Sequence, residues 1–165
     1  MKAIVTGSFD PITLGHIELI KYACEKYDEV YVVALVNEEK EYMFTMEQKK
    51  KLIELSIQGF KNAIADAYCG LTADYMHQKG IKNIVRGVRN ETDSEYEKDL
   101  AQKMKSFDQE FETEIIMCKE NYENISSTIV REHIRNGTEL DDLLPKEIVG
   151  EVRKLFSENA LKKRS

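Results

Sequence analysis

The segment that most constrains the fold is 29–36, EVYVVALV, an almost unbroken run of β-branched, aromatic and aliphatic residues. A strand with one face in water alternates polar and apolar side chains, whereas a strand covered on both faces shows no such alternation. Parallel strands are covered in this way because the helices that connect them pack on both faces of the sheet. The run therefore indicates an inner strand of a parallel α/β sheet.

Strand and helix patterns alternate along the rest of the chain. Strands are predicted at 2–6, 29–36, 63–68, 82–86 and 112–118, and helices at 14–25, 46–58, 72–79, 92–107, 127–135 and 145–157. This alternation predicts βαβ units with right-handed crossovers. We therefore expect one Rossmann-like α/β domain over residues 1–165, with a doubly wound five-stranded parallel sheet, helices on both faces and C-terminal helices. Thr45 and Gln48 have the spacing of a capping box at the start of the second helix.

Composition and charge argue against several classes of protein. The chain has 24 Lys and Arg residues and 30 Asp and Glu residues, and its net charge of −6 disfavours general nucleic-acid binding. No run reaches the roughly 18 to 20 apolar residues that a membrane-spanning helix needs. The three cysteines form no CxxC pair and predict neither a zinc site nor a disulfide framework. Met1-Lys2 leads directly into a strand, so we expect no targeting peptide and a cytoplasmic protein.

The residues that follow the predicted strands are rich in glycines, hydroxyls and cations. In an open parallel sheet, ligands bind beyond the carboxyl ends of the strands. Five segments are expected at that edge: 6–9, 36–40, 68–72, 86–89 and 118–127. They contain Lys40, the pair Arg86 and Arg89, and the hydroxyls of Ser126 and Ser127, which Thr128 follows directly. Side chains of this kind suit an anionic ligand that carries phosphate groups.

The first of these segments leads into a helix through the sequence GSFDPITLGHIELI, residues 7–20. Gly15 and His16 stand at or near the start of that helix, where unpaired N–H groups and the positive end of the helix dipole favour an anion. A glycine that permits close approach makes this a suitable place to hold a phosphate. The chain contains neither GxxxxGK[ST] nor GxGxxG after its first strand, which argues against a P-loop NTPase and against dinucleotide binding.

Three motifs resemble signatures of the nucleotidyltransferase superfamily. Residues 13–16, Thr-Leu-Gly-His, match the TxGH form of its T/HxGH signature, residues 86–89 match RGxR, and residues 125–131 match ISSTxxR. Their order, the TxGH form and the length of the chain resemble the phosphopantetheine adenylyltransferases. The resemblance extends from residue 3 to about residue 156.

That resemblance implies a reaction and its partners. The adenylyl group of ATP would be transferred to 4′-phosphopantetheine, with dephospho-coenzyme A and pyrophosphate as products. Mg²⁺ would be the cofactor, held by ATP and water rather than by protein ligands. The family also implies a homohexamer, with coenzyme A or dephospho-coenzyme A bound as inhibitor or product. Neither a nucleic-acid partner nor a membrane partner is expected.

The resemblance also assigns roles to individual residues. His16 and Lys40 would be the catalytic residues at the phosphate under attack. The residues expected to bind ATP are Ser8, Phe9, His16, Gly87, Val88, Arg89, Glu97, Tyr122, Ile125, Ser126, Ser127 and Thr128. Those expected to bind the acceptor are Ser8, Lys40, Thr72 and Arg86.

Two departures from the family pattern leave other functions open. Ser8 stands where the family often has threonine, and Met104 stands where it often has an asparagine on the acceptor side of the pocket. The ISST form also occurs in nicotinate mononucleotide adenylyltransferases. A related adenylyl- or cytidylyltransferase that uses nicotinate mononucleotide or glycerol phosphate therefore stays open, and so does a non-catalytic nucleotide-binding module.

Structural roles are open for the same side chains. His16 could merely cap or pack against its helix, and Lys40 in a Glu-rich loop could simply be solvated. Arg86 and Arg89 could pair with Glu91 or Asp93 instead of binding a phosphate. The hydroxyls after the last strand could cap the next helix, a role that is compatible with phosphate binding because both use the same helix end.

Overall fold

The computed structural model describes residues 1–164, in which strands and helices alternate. The strands are β1 (Lys2–Gly7), β2 (Glu29–Val36), β3 (Ala63–Cys69), β4 (Asn83–Val88) and β5 (Glu112–Met117). The α-helices are α1 (Leu14–Lys26), α2 (Met46–Ser56), α3 (Thr72–Lys79), α4 (Glu91–Phe107), α5 (Ser127–Asn136) and α6 (Val149–Arg164). Short 3₁₀ turns lie at Glu120–Tyr122 and Lys146–Ile148.

The five strands form one parallel sheet in the order β3-β2-β1-β4-β5. The chain runs outward from β1 to β3, then crosses back to β4 on the other side of β1. Ile4 of β1 accordingly pairs with Tyr31 of β2 on one side and with Ile84 of β4 on the other. The direction of winding changes between β1 and β4, and open α/β sheets bind ligands in the crevice at such a point. The doubly wound parallel sheet predicted from the sequence is confirmed.

Both faces of the sheet are covered, as the apolar run in β2 predicts. Val32 and Val33 are adjacent and have no exposed surface, yet they belong to two different apolar clusters. Val32 shares a cluster with Leu52 of α2, whereas Val33 shares one with Tyr75 of α3. The helices thus bury amphipathic faces against the sheet. Between residues 1 and 164, no helix is both long enough and apolar enough to cross a bilayer.

The predicted element boundaries agree with the structure to within one residue except at three places. The helix predicted at 145–157 begins with a 3₁₀ turn, and its α-helical part continues to Arg164, because residues 158–164 include the strong helix formers Ala, Leu, Lys and Arg. The second helix ends at Ser56, two residues earlier than predicted. The strand predicted at 82–86 extends to Val88, which pairs with Met117 of β5.

Two helices begin with a reciprocal capping box. The one predicted at α2 is confirmed: the Gln48 N–H donates to Thr45 Oγ1 at 3.2 Å, and the Thr45 N–H donates to Gln48 Oε1 at 3.0 Å. Helix α1 has the same arrangement between Thr13 and His16, with an imidazole in the place of the usual carboxylate or amide. This second capping box was not predicted, because the pattern requires Glu or Gln at that position.

Candidate active site

Two neighbouring cavities open on either side of the turn that follows β1. The larger, here called the histidine cavity, has a volume of about 660 Å³ and is lined by the ends of β1 and β4, the start of α1 and part of the segment 116–127. The smaller, here called the lysine cavity, has a volume of about 540 Å³ and is lined by Ser8, Lys40 and residues of α5 and α6. Because Gly7 lines the first and Ser8 the second, this turn forms the wall between them.

Most of the residues that the sequence places in the site lie in one of these cavities. Ten line the histidine cavity: His16, Arg86, Gly87, Val88, Arg89, Glu97, Tyr122, Ile125, Ser126 and Ser127. Ser8 and Lys40 line the lysine cavity. Three predicted residues line neither: Phe9, Thr72 and Thr128. Phe9 is buried under the His16 ring, Thr72 starts α3 beyond the edge strand β3, and the Thr128 hydroxyl accepts a hydrogen bond from Arg131 at 3.1 Å.

Two helix N-termini meet at the histidine cavity. Thr13 and Ser126 are the N-cap residues of α1 and α5, and both line it. A Cβ on Gly15 would lie 3.9 Å from the Ile125 carbonyl oxygen and 4.0 Å from Tyr122 Cβ, which is ordinary van der Waals contact, so the start of α1 lies beside the segment before α5. The unpaired N–H groups and positive dipole ends of both helices therefore act on the same space. That arrangement favours a bound anion such as a phosphate.

His16 is held in one orientation and one tautomer. The Thr13 N–H donates to His16 Nδ1 at 3.0 Å, and the Phe9 ring packs edge-on against the imidazole at a centroid distance of 4.8 Å. Burial, together with the positive charges of Arg86 and Arg89, lowers the pKa of His16 to about 4. The ring is therefore neutral at pH 7, and because Nδ1 is the acceptor, its proton is on Nε2. His16 thus offers the cavity an N–H donor and no charge.

Arg86 is compensated by its neighbours. Its Nε and Nη2 donate to the two carboxylate oxygens of Glu97 at 2.9 and 2.8 Å, and its Nη1 donates to the carbonyl and the hydroxyl of Thr6 at 2.8 Å. Glu97 is only 6% exposed. Neither Glu91 nor Asp93, the partners considered from sequence, pairs with Arg86, whereas Arg89 does pair with Asp93 at 3.4 Å. Arg86 therefore fixes the ends of β1 and β4 relative to α4.

Asp10 ties the turn after β1 to the loop after β2, a role that sequence reasoning missed. Its carboxylate accepts hydrogen bonds from the N–H groups of Met43 and Phe44 at 2.8 and 3.0 Å. Arg131 of α5 donates to the Asp10 carbonyl at 2.9 Å and lies 3.8 Å from its carboxylate. The sequence shows an acidic residue inside the Phe-Asp-Pro turn. A carboxylate that is buried in a turn needs several hydrogen-bond donors, so such a residue indicates contacts with other segments.

The lysine cavity is surrounded by cations that lack partners. Lys40, Arg135 and Lys163 line it, and within residues 1–164 none of their side chains makes a hydrogen bond or ion pair. They come from three separate elements: the loop after β2, the last turn of α5 and the end of α6. Asn159 of α6 donates to the Met43 carbonyl at 3.1 Å and so fixes α6 against that loop. Arg131 and two acids, Asp10 and Glu41, also line the cavity. Its cations still outnumber its acids, so the cavity suits a negatively charged ligand.

The acidic side chains of the histidine cavity do not form a metal cage. Within the described residues 1–164, no group of three or more His, Cys, Asp or Glu side chains is placed to bind a metal ion. Glu97 and Asp93 pair with arginines, and Glu18 accepts a hydrogen bond from Lys119 at 2.9 Å.

Comparison with known proteins agrees with this geometry. Residues 4–133 match the family model described as Cytidylyltransferase-like. The chain belongs to this family. It is thereby a member of the nucleotidyltransferase superfamily, which the T/HxGH and ISSTxxR motifs indicate.

A solved structure shows the same fold over nearly the whole length. It is that of a Vibrio parahaemolyticus protein provisionally assigned as a nicotinate-nucleotide adenylyltransferase. The TM-score is 0.68 at 17% sequence identity, and the match covers 95% of each chain. At this identity the likeness concerns the fold.

Proposed function

We propose that the protein transfers the adenylyl group of ATP to 4′-phosphopantetheine and releases dephospho-coenzyme A and pyrophosphate. The observation that carries the proposal is the neutral His16 Nε2–H group in a cavity where two helix N-termini meet. A donor in this place can stabilise negative charge that develops on a phosphate. The TxGH, RGxR and ISSTxxR motifs support this nucleotidyl transfer, and the family match supports the chemical class.

The reaction needs no general base. A phosphate monoester has a second pKa of about 6, so its oxygens are largely deprotonated at neutral pH. One of them attacks the α-phosphorus of ATP, the bond from that phosphorus to the α,β-bridging oxygen breaks, and pyrophosphate leaves with the electron pair. The protein's task is alignment and charge stabilisation. His16 and the first turns of α1 and α5 serve this task. Mg²⁺ carried by the nucleotide would neutralise part of the triphosphate charge.

The lysine cavity supports a highly charged phosphate ligand beside this centre. Ser8 and Lys40 line it directly across the turn from the histidine cavity. We assign Lys40 to the acceptor phosphate and Arg89, with residues 125–128, to ATP. Arg86 supports the site by holding Thr6 and Glu97, so its contact with the acceptor requires a rearrangement of that pair. The same proposal includes a homohexamer, which light scattering tests. It also includes inhibition by coenzyme A, which is tested by adding coenzyme A to the turnover assay.

A pyrophosphate-release assay with ATP, Mg²⁺ and 4′-phosphopantetheine tests the proposal. We expect turnover that depends on all three, and no signal would overturn it. Parallel reactions with nicotinate mononucleotide and glycerol phosphate, and with CTP in place of ATP, identify the acceptor and the nucleotide. Faster turnover with nicotinate mononucleotide would establish the sister activity instead. ATP binding without pyrophosphate release for any acceptor would indicate a nucleotide-binding module.

A further inference from the structure

Lys49 of α2 carries a buried ammonium group without a hydrogen-bond acceptor. The residue has no exposed surface, and among residues 1–164 its Nζ is the only buried side-chain nitrogen or oxygen that lacks a partner. An isolated buried charge is strongly unfavourable, so such groups are normally paired. Burial lowers the pKa of Lys49 to about 8, and nearby Arg131 lowers it while Asp10 opposes the shift. At pH 7 the group is still mostly charged.

The ring of Tyr42 covers this ammonium. Lys49 Nζ lies 3.3 Å from the centroid of the ring, which compensates the charge only partly. Tyr42 lines the lysine cavity, whereas Lys49 does not. Asp10 and Arg131, whose charges act on Lys49, line the same cavity. The ammonium therefore lies just behind the wall of the cavity.

Asp10, the acid whose charge acts on Lys49, makes no hydrogen bond to it in the free protein. Both oxygens of the Asp10 carboxylate already accept backbone N–H groups, from Met43 and Phe44. The cover itself is lightly held: within residues 1–164 the Tyr42 hydroxyl accepts one hydrogen bond, from the Asn37 N–H at 3.0 Å, in the exposed loop after β2. A phosphate in the lysine cavity would bring the oxygens that Lys49 lacks.

We propose that Lys49 is a further phosphate-binding cation of the lysine cavity, and that the Tyr42 ring is a movable cover which swings aside when the phosphate enters. This inference deepens the function proposed above, because the phosphate is that of the acceptor or of the nucleotide. The bound ligand exchanges one cation–π contact for charge-assisted N–H···O hydrogen bonds, which are shorter and stronger. Lys40, Arg135 and Lys163 attract the ligand from the outside, and Lys49 completes its coordination from the inside.

Calorimetric titration with inorganic pyrophosphate tests the role of Lys49. We expect Lys49→Met to weaken pyrophosphate binding at least tenfold and to raise the melting temperature of the free protein, because an uncompensated buried charge is removed. The matched control is Lys50→Met, whose side chain is 47% exposed on the same helix and which should change neither value by more than a small amount. Equal affinity in Lys49→Met and the parent protein would overturn the inference, and so would a parent that does not bind pyrophosphate.

A second variant tests the cover directly and does not depend on removal of Lys49. The chain has no tryptophan, so Tyr42→Trp introduces a single indole at the cover position. Addition of pyrophosphate should change its emission as the ring leaves the ammonium, and Lys49→Met in the same background should abolish the change. An emission spectrum that stays constant up to saturating pyrophosphate would contradict a moving cover.

These measurements are independent of turnover. A protein that releases no pyrophosphate from ATP with any acceptor, yet binds inorganic pyrophosphate in a Lys49-dependent way, would refute the proposed function and support this inference. Turnover with 4′-phosphopantetheine together with unchanged pyrophosphate affinity in Lys49→Met would support the proposed function and refute this inference.

Discussion

The two cavities differ in how their charges are compensated. In the histidine cavity three cations are paired with acids: Arg86 with Glu97, Arg89 with Asp93 and Lys119 with Glu18. Lys21 also lines this cavity and makes no side-chain hydrogen bond or ion pair within residues 1–164. In the lysine cavity Arg131 pairs with Asp10, but Lys40, Arg135 and Lys163 have no partner among residues 1–164. Lys49 behind it has a cation–π contact and no hydrogen bond. Most cations of the first cavity are therefore held by acids before a ligand arrives. The second holds three cations without a partner, which an anionic ligand can neutralise.

This difference separates structural effects from binding effects. Removal of a paired cation leaves an acid without its partner, which costs stability whether or not a ligand binds. Removal of an unpaired cation leaves nothing uncompensated, so stability is kept and only the affinity for an anion falls. Each of the following substitutions tests either this contrast between paired and unpaired cations or the neutral state of His16.

The largest effect is expected at the Arg86–Glu97 pair, in which the carboxylate is buried and the arginine is partly buried. Arg86→Met leaves the Glu97 carboxylate buried without its bidentate partner and should lower the free energy of unfolding by about 3–5 kcal/mol. Urea denaturation measures this change. The same substitution at Arg89, whose pair with Asp93 is largely exposed, should cost under about 1 kcal/mol.

A double-mutant cycle sharpens this first test. Arg86→Met combined with Glu97→Leu removes both charges and should be less destabilising than Arg86→Met alone. Strict additivity of the two single changes would show that the pair does not act as a unit. Such a result would contradict the view that cations of the histidine cavity are stabilised by their acidic partners.

The second effect is on catalysis. His16→Ala removes the donor at the meeting point of α1 and α5 and should lower kcat at least about a hundredfold, or about 3 kcal/mol, with only a modest change in ATP affinity. Steady-state kinetics and ATP titration separate these two quantities. His77→Ala serves as control, because this exposed histidine lines neither cavity and its ring contacts Asp108 and Phe111 instead. Turnover unchanged in His16→Ala would remove His16 from the mechanism.

The third effect concerns an unpaired cation of the lysine cavity. Lys40→Ala should raise the KM for the acceptor about tenfold and leave the melting temperature unchanged, because no acid loses a partner. Kinetics at saturating ATP and a thermal melt measure the two values. Lys61→Ala, an exposed lysine outside both cavities, controls for the loss of one positive charge. An acceptor KM that does not move would count against this assignment of Lys40.

The sheet and the edge that holds the site were predictable from the sequence because their signals are local. The run at 29–36 requires a strand with two covered faces, and the rule that ligands bind at the carboxyl ends of strands then locates Lys40 and the Arg86–Arg89 segment. The capping box at Thr45 depends on residues three apart. Such features need only the chain's own periodicity and neighbours.

The compensation of charge was not predictable, because it depends on tertiary contacts. Asp10 meets Met43 and Phe44 across more than thirty residues of sequence, and a linear pattern cannot select those partners. Lys49 is different. It is one of three consecutive lysines that look equally solvated, yet the helical period places it on the face of Leu52 and Ile53, and all three are buried. That signal was present in the sequence and identifies the one lysine whose charge is enclosed.

The last prediction concerns the protonation state of His16, which should not change over the near-neutral pH range in which most enzymes are assayed. Since His16 is neutral with its proton on Nε2, ¹⁵N chemical shifts of its ring should show the Nε2–H tautomer at pH 7 and a titration midpoint near 4 in the free protein. Between about pH 6 and 8 the ionisation of His16 should leave kcat/KM for ATP unaffected. A midpoint near 6.5, or a proton on Nδ1, would contradict the assignment of His16 as an uncharged donor.

The same shift fixes the direction of a change in stability. The pKa of His16 is about 4 in the folded protein and about 6.5 in the unfolded chain, so between these values the unfolded state binds more protons. Stability contributed by the neutral ring is complete above about pH 6.5 and is lost as the pH falls towards 4. Urea denaturation at pH 7 and pH 5 should therefore show a smaller acid loss in His16→Gln, whose side chain does not titrate, than in the parent protein. An equal loss in both would mean that His16 is protonated as readily in the folded cavity as in water. At acid pH the histidine cavity would then hold a positive charge without a partner, as the lysine cavity does.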